Sequence, residues 1–221
     1  MKYLLLLLFT LTAVSCDNSG SLLKKGSVNL ALGDYTRARQ CFETVVDRHP
    51  ASATARIGLG KALLQEYTAS PRDTELLVGS ITQLEAARTL RADTTVEQLL
   101  SVVWLKRANV LIGGLDTVAA LQALSRSTAL DPAAAQPVNL AGILYFHRGE
   151  RDKALNLFRK VIALDTGSIS GRFNAGLVLW TDGNYAAAYN FFFAAAQRAP
   201  DEREILLWAA RAKNQTAGEA P

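Results

Sequence analysis

The strongest constraint on the fold is a set of turn sequences that recur every 34 residues. Leu130-Asp131-Pro132 returns as Leu164-Asp165-Thr166 and again as Arg198-Ala199-Pro200. Gly142 and Gly176 keep the same spacing. So do two turn-and-helix-start segments, Gly149-Glu150-Arg151-Asp152-Lys153-Ala154 and Gly183-Asn184-Tyr185-Ala186-Ala187-Ala188. A third, Gly33-Asp34-Tyr35-Thr36-Arg37-Ala38, lies near the start. A period of this length holds one supersecondary unit, and such a unit cannot bury its own apolar face. Consecutive units must stack to build a core. Alanine and leucine dominate the chain, which favours helix. An apolar share of 49% with 20% charged residues excludes a disordered chain.

A 34-residue period of two helices resembles the tetratricopeptide repeat, over roughly residues 19–200. Repeat starts fall at Ser19, Ala53, Ser101, Ala135 and Ile169. The family's small eighth residue is then Gly26, Gly60, Ala108, Gly142 and Gly176. The small twentieth is Ala38, Ser80, Ala120, Ala154 and Ala188, and the bulky twenty-fourth is Phe42, Leu84, Leu124, Phe158 and Phe192. The short twenty-seventh is Val45, Ala87, Ser127, Val161 and Ala195. Two helices cross closely only where the crossing residues are small, and a bulky neighbour then fills the groove beside the crossing. The closing proline (Pro50, Pro132, Pro200) stops one repeat before the next begins. The resemblance implies an all-α right-handed superhelix, an α-solenoid of tetratricopeptide helix pairs with a C-terminal capping helix.

The second repeat departs from the pattern. Its helices are expected at about Ala53–Tyr67 and Thr74–Leu90, which leaves eight extra residues before Ser80. Six more precede Ser101, where Asp93-Thr94-Thr95 reads as a helix start. Longer helices are expected there; the alternative is a lone helix over Thr74–Arg91. In the third repeat Ile112-Gly113-Gly114-Leu115 reads as a flexible turn. After the last repeat, Asp201–Asn214 is an amphipathic stretch suited to cap the stack. The repeat domain is thus placed at 22–214, with a polar, frayed tail at 215–221.

Met1-Lys2 is followed by an apolar run from Tyr3 to Val14, too short for the ~20 residues that span a bilayer. It fits the core of a secretory signal at 1–15. Ala13-Val14-Ser15-Cys16 resembles a bacterial lipobox, with Ala13 where leucine is usual. The resemblance implies cleavage before Cys16, acylation of its sulfur and a short tether at 16–21. The departure at Ala13 leaves ordinary peptidase cleavage after Ser15 open.

The net charge of +4 is spread along the chain, and no basic run exceeds Lys24-Lys25, so a nucleic-acid footprint is not supported. Two histidines and two cysteines leave little for metal sites or Cys/His catalysis. His49 is read as a surface turn residue and Cys41 as a lone packed thiol. Gly58-Leu59-Gly60 lies inside a helix and lacks the context of a phosphate loop. No catalytic residue, metal site or cofactor is expected, and no enzymatic activity.

In the family, set positions of each first helix line an inner groove. Here those positions give Lys61, Lys106, Asn109, Asn139, Phe146, His147, Phe173, Asn174 and Trp180 as partner-binding residues. Lys24, Ser27, Thr54, Gln65, Gln136, Ser170 and Thr181 lie beside them. The set contains no acid, so it suits an extended peptide with acidic and apolar parts. The alternative is that the aromatics pack against neighbouring helices. Some members clamp a peptide carboxylate with Lys and Asn in three successive repeats. Gly58 and Leu140 stand where Asn is needed, so that specificity is not carried over. The resemblance implies a membrane-anchored extracytoplasmic scaffold or adaptor of the bacterial cell envelope, binding a protein or peptide partner. The alternative is a periplasmic ligand-binding module associated with a transporter.

Overall fold

The structure, a computed structural model, describes residues 18–91 and 93–218. The expected leader and Cys16 lie outside them. Among the described residues there are eleven helices and no strand: α1 (Ser19–Ala31), α2 (Tyr35–Arg48), α3 (Ala53–Ala69), α4 (Glu75–Leu90), α5 (Thr94–Gly113), α6 (Thr117–Leu130), α7 (Ala135–His147), α8 (Arg151–Leu164), α9 (Ile169–Thr181), α10 (Tyr185–Ala196) and α11 (Arg203–Gly218). Each helix packs on the next in chain order, giving five pairs and a terminal helix. First helices also touch one another, α1 with α3, α3 with α5 and α7 with α9, and so form a row along one side of the solenoid.

The small and bulky landmarks interlock as their volumes require. The Phe158 ring lies where a Cβ on Gly142 would be, 2.6 Å from that position, and Phe192 does the same at Gly176. Phe42 is wedged between Gly26 of α1 and Gly58 of α3, so one ring joins the first repeat to the second. The twentieth, twenty-fourth and twenty-seventh positions are buried in all five repeats. Where those residues are polar, their hydrogen bonds are made internally. The Ser80 hydroxyl donates to the Gly60 carbonyl at 2.8 Å. Ser127 donates to the Ser101 carbonyl at 2.8 Å, and the two hydroxyls meet at 3.0 Å. Satisfied in this way, buried hydroxyls do not carry the ~1–3 kcal/mol cost of an unpaired polar group. The Ser80 bond and the Leu84–Gly60 packing make α3 and α4 a true repeat rather than a lone helix.

The lengthened helices are present. α5 begins seven residues before Ser101, because the Asp93 side chain accepts from the Thr95 amide at 2.8 Å and caps it there. The added turns bring Val96 and Leu100 fully into the core beside Leu77 and Leu84. Two boundaries differ from expectation. α1 starts at Ser19, within the expected tether. α11 runs to Gly218, so residues 215–218 are helical where a tail was expected; residues 219–221 lie outside the description. Both differences follow from helix propagation. Extending an already nucleated helix fixes one residue per added bond, and nothing in either flank breaks the turn.

Three intra-repeat turns place a glycine in the left-handed region, Gly33, Gly149 and Gly183. The amide just after each donates back to the helix, Asp34 to Asn29, Glu150 to Tyr145 and Asn184 to Leu179, all at 2.9 Å. In the third repeat Asp116 donates to Leu111 in the same way, but the left-handed residue is Leu115, with φ of 61°, and not either of the glycines before it. Leu115 is 88% exposed, so its side chain gives almost no packing in return. A left-handed non-glycine residue costs ~1–2 kcal/mol, and glycine returns part of that as lost chain entropy. Leu115→Gly is therefore expected to raise stability by roughly 0.5–1 kcal/mol. A thermal melt that moves down would show that the strain is not there.

Candidate functional site

The row of first helices holds a hollow of about 520 Å³ between the first and third repeats. Its lining comes from α1 (Ser27, Leu30, Ala31), the start of α2 (Tyr35), α3 (Lys61, Leu64, Gln65) and α5 (Leu99). Lys61 and Gln65 are four residues apart and share a helix face. Leu64 is buried, and Leu30 and Leu99 are half-buried, so the floor is apolar. The Ser27 hydroxyl is turned to its own helix, donating to the Leu23 carbonyl at 3.0 Å.

The charge in this hollow is one-sided. No acid lines it. The nearest acid along α3, Glu66, is already engaged by Arg39 Nε at 3.0 Å and by the Thr36 hydroxyl at 3.1 Å. Among the described residues no carboxylate pairs with Lys61, which lines the hollow with its charge uncompensated.

The other expected groove residues have different settings. Lys106 and Asn109 lie on α5, half-exposed and exposed, and do not line the hollow. Asn174 donates to the Asn139 side chain at 3.1 Å, tying α9 to α7 across the row. Phe146 is half-buried against the core of Ala154, Phe158, Ala175 and Val178, with the exposed His147 ring 6.0 Å away. Phe173 packs on Phe192 at 5.6 Å. Trp180 meets Tyr185 edge-on at 4.7 Å and Trp208 of α11 at 5.4 Å. Both keep part of their surface open. The structure thus brings Lys61, Ser27 and Gln65 together at one end, and Phe173 and Trp180 together beneath the terminal helix at the other.

Two lining residues, Tyr35 and Leu99, lie outside the inner positions of the first helices. Tyr35 belongs to the recurrent Gly33-Asp34-Tyr35 turn and reads as a landmark of the repeat. Leu30 is the twelfth residue of its repeat and so one of the inner positions, as Leu64 is in the next repeat. Leu99 lies before the third repeat start and reaches the hollow only because α5 is extended. His49 is exposed at the end of α2, and Cys41 is buried on α2 with the Asn29 amide nitrogen 3.9 Å from its sulfur. Among the described residues no group of three or more His, Cys, Asp or Glu is placed to hold a metal ion. No described helix is long and apolar enough to cross a membrane.

Comparison with known proteins agrees with this geometry. Residues 23–67 match the tetratricopeptide repeat family. MamA in its crystal structure is 23% identical with a TM-score of 0.57, over 81% of this chain and 96% of that one. YrrB, described as a tetratricopeptide repeat protein with an unusual peptide-binding site, is 20% identical with a TM-score of 0.56, over 87% and 90%. The first such domain of Spaghetti (RPAP3), bound to an HSP90 peptide, is 12% identical with a TM-score of 0.52, over 54% and 95%. Among curated proteins, no sequence matches. At these identities the likeness establishes the fold, an all-α solenoid of helix pairs of the tetratricopeptide type.

Proposed function

We propose that this chain is a non-catalytic scaffold that seats a protein or peptide partner along its first helices. The observation that carries this reading is the uncompensated Lys61 in an apolar hollow. An extended segment with a carboxylate next to an apolar side chain satisfies both parts at once, since charge-assisted bonds are the stronger ones. Peptide binding by YrrB and by the Spaghetti domain, which share the fold, supports it. Asn109, Asn139 and Asn174 supply amides along the same row for a peptide backbone. Phe146, His147, Phe173 and Trp180 supply the open ring surface further on, and Lys106 a second cation.

We further propose that the scaffold is held at a membrane in the bacterial cell envelope through acylated Cys16. The Tyr3–Val14 run and the small residues Ala13-Val14-Ser15 before the cysteine support this reading. Multiple acyl chains hold a protein at a bilayer, whereas one alone binds marginally. The full chain is expected in the detergent phase of a two-phase extraction, and Cys16→Ala in the aqueous phase or unprocessed. Wild-type protein in the aqueous phase, with no lipid mass on its N-terminus, would refute the anchor.

For the groove, the test is capture from an envelope extract. Lys61→Glu is expected to weaken recovery of the partner about tenfold, which is about 1.4 kcal/mol. The loss should shrink at high salt, because exposed charges are screened. Equal recovery by wild type and variant, with unchanged circular dichroism, would place the binding surface elsewhere. The hollow also falls within the ~300–1,000 Å³ of small-molecule sites, which favours a ligand-binding module as the second reading. A bound small molecule in native mass spectrometry of the purified chain would select it.

A further inference from the structure

A second cleft, about 360 Å³ and mainly apolar, opens on the other side of the solenoid between the third and fourth repeats. Leu121, Leu124 and Ala129 of α6 face Leu157 of α8 across a floor of Val138 and Ala141 from α7. Tyr145 closes one side, and Lys160 stands at the rim. The α7 residues used here lie on the helix face away from Asn139 and Phe146, so this cleft is separate from the first-helix groove.

Substitutions within the repeat account for the cleft. Two of its lining positions are Thr128 and Leu157. One repeat later, 34 residues on, the same positions are Ile162 and Phe191. Those two side chains pack into the core of Ala154, Phe158, Ala175 and Val178 and help close that seam. Thr128 is smaller than isoleucine, and its hydroxyl is spent on its own helix, donating to the Leu124 carbonyl at 3.0 Å. Leu157 is smaller than phenylalanine. The seam between the third and fourth repeats therefore lacks about four side-chain heavy atoms relative to the next, three at Leu157 and one at Thr128.

Lys160 is the one charged residue that lines the cleft. Of the other cations on α6 and α8, Lys153 pairs with Glu150, Arg151 reaches Asp182 and Arg126 lies over the Trp104 ring, while the acids Asp116, Asp131, Glu150 and Asp165 sit at the helix ends and do not line the cleft. Asp152 is at the start of α8, two turns from Lys160. Among the described residues Lys160 has no carboxylate partner.

We propose that this cleft docks an acidic segment of a protein partner, which inserts one bulky apolar side chain, aromatic by preference, and meets Lys160 with a neighbouring carboxylate. The open volume of the cleft sets the size of the inserted side chain, and Lys160 sets the sign of its flanks. Buried anchors of this kind carry much of the energy of an interface. The site stands whether or not the first-helix groove binds.

The test uses two labelled decapeptides in a Gly/Ser frame, one with a central Phe flanked by Glu and one with the same Phe flanked by Lys. Binding to the full chain is followed by fluorescence anisotropy, and its position by amide chemical shifts. The Glu peptide is expected to bind and to move the amides of Ala129 and Ala141. Thr128→Ile with Leu157→Phe copies the next repeat and fills the cleft, and is expected to weaken that peptide at least tenfold while the thermal melt is kept. Lys160 is exposed, so Lys160→Glu keeps the fold and carries the test by itself, with a similar loss. Lys61→Glu should leave this binding unchanged. The proposal is overturned if the filled variant and Lys160→Glu bind as wild type does, if the Lys peptide binds equally, or if neither peptide binds at millimolar concentration. It is overturned equally if wild type self-associates and filling makes it monomeric, or if a lipid acid copurifies and is lost on filling.

Discussion

Gly142→Leu is expected to lower the melting temperature by roughly 6–12 °C, the largest effect of any single substitution considered, corresponding to about 3 kcal/mol. A Cβ at Gly142 would lie 2.6 Å from the Phe158 ring, and a leucine adds three further carbons beyond it. Phe158 is 1% exposed and cannot swing away, because Ala154, Ala175 and Val178 enclose it. The helix must therefore move off its partner. The gain in helix propensity on replacing glycine is at most about 1 kcal/mol and does not offset this. Arg151→Ala is the control. Arg151 is exposed and reaches Asp182 only at 3.4 Å, and surface pairs of this kind contribute ~0–1 kcal/mol. Its melt should move by less than about 3 °C. A Gly142→Leu protein that melts with the wild type would mean that α7 and α8 do not cross at this residue. Phe158→Leu should relieve part of the loss in the double variant, since the two positions are in contact and couple.

Ending the chain at Pro200 is expected to remove a large part of its stability, on the order of 5 kcal/mol. α11 covers the open face of the last pair. Ile205, Ala209 and Ala212 are buried against it, and the Trp208 ring lies 5.7 Å from Phe192 and 5.4 Å from Trp180. Deletion would uncover that surface along α10, a helix with no charged residue from Tyr185 to Ala196. A terminal unit with a polar outer face keeps a repeat array soluble. The shortened chain should bind a hydrophobic dye and aggregate on warming. If it stays monomeric with an unchanged melt, α11 is an appendage and not a cap.

Much of the fold was readable because the crossing of two helices is a local matter of residue size. The 34-residue recurrence of Gly142 and Gly176, and of Phe158 and Phe192, locates the crossings without knowledge of any distant part of the chain. Four of the five repeat starts are also the first residues of helices. The fifth, Ser101, is internal to α5 because Asp93, eight residues before it, caps the helix at the start the sequence marked. The turn expected at Ile112-Gly113-Gly114-Leu115 is present, since α5 ends at Gly113. Glycine marks left-handed positions by its conformational freedom, but the hydrogen-bond register of α5 places that conformation one residue later, on Leu115.

The groove was legible as a set of positions and not as a set of surfaces. Which positions line the inner row is what the resemblance to the tetratricopeptide repeat implies. Whether a ring on that row stays open depends on what arrives from elsewhere. Phe173 is engaged by Phe192, nineteen residues on, and Trp180 by Trp208 of the terminal helix. Lys61 stands uncompensated because Glu66, the nearest acid along its helix, is held by Arg39 and Thr36 of the preceding repeat. The sequence by itself determined the helix pairs, their crossing residues and the need for a cap, since these rest on side-chain volumes repeated at a fixed interval. The tertiary structure alone decided the left-handed leucine, the hollow at Lys61 and the cleft at Lys160. The leucine depends on the hydrogen-bond register at the end of α5, the hollow on how α1, α3 and α5 lie beside one another, and the cleft on how α6, α7 and α8 meet around the smaller Thr128 and Leu157.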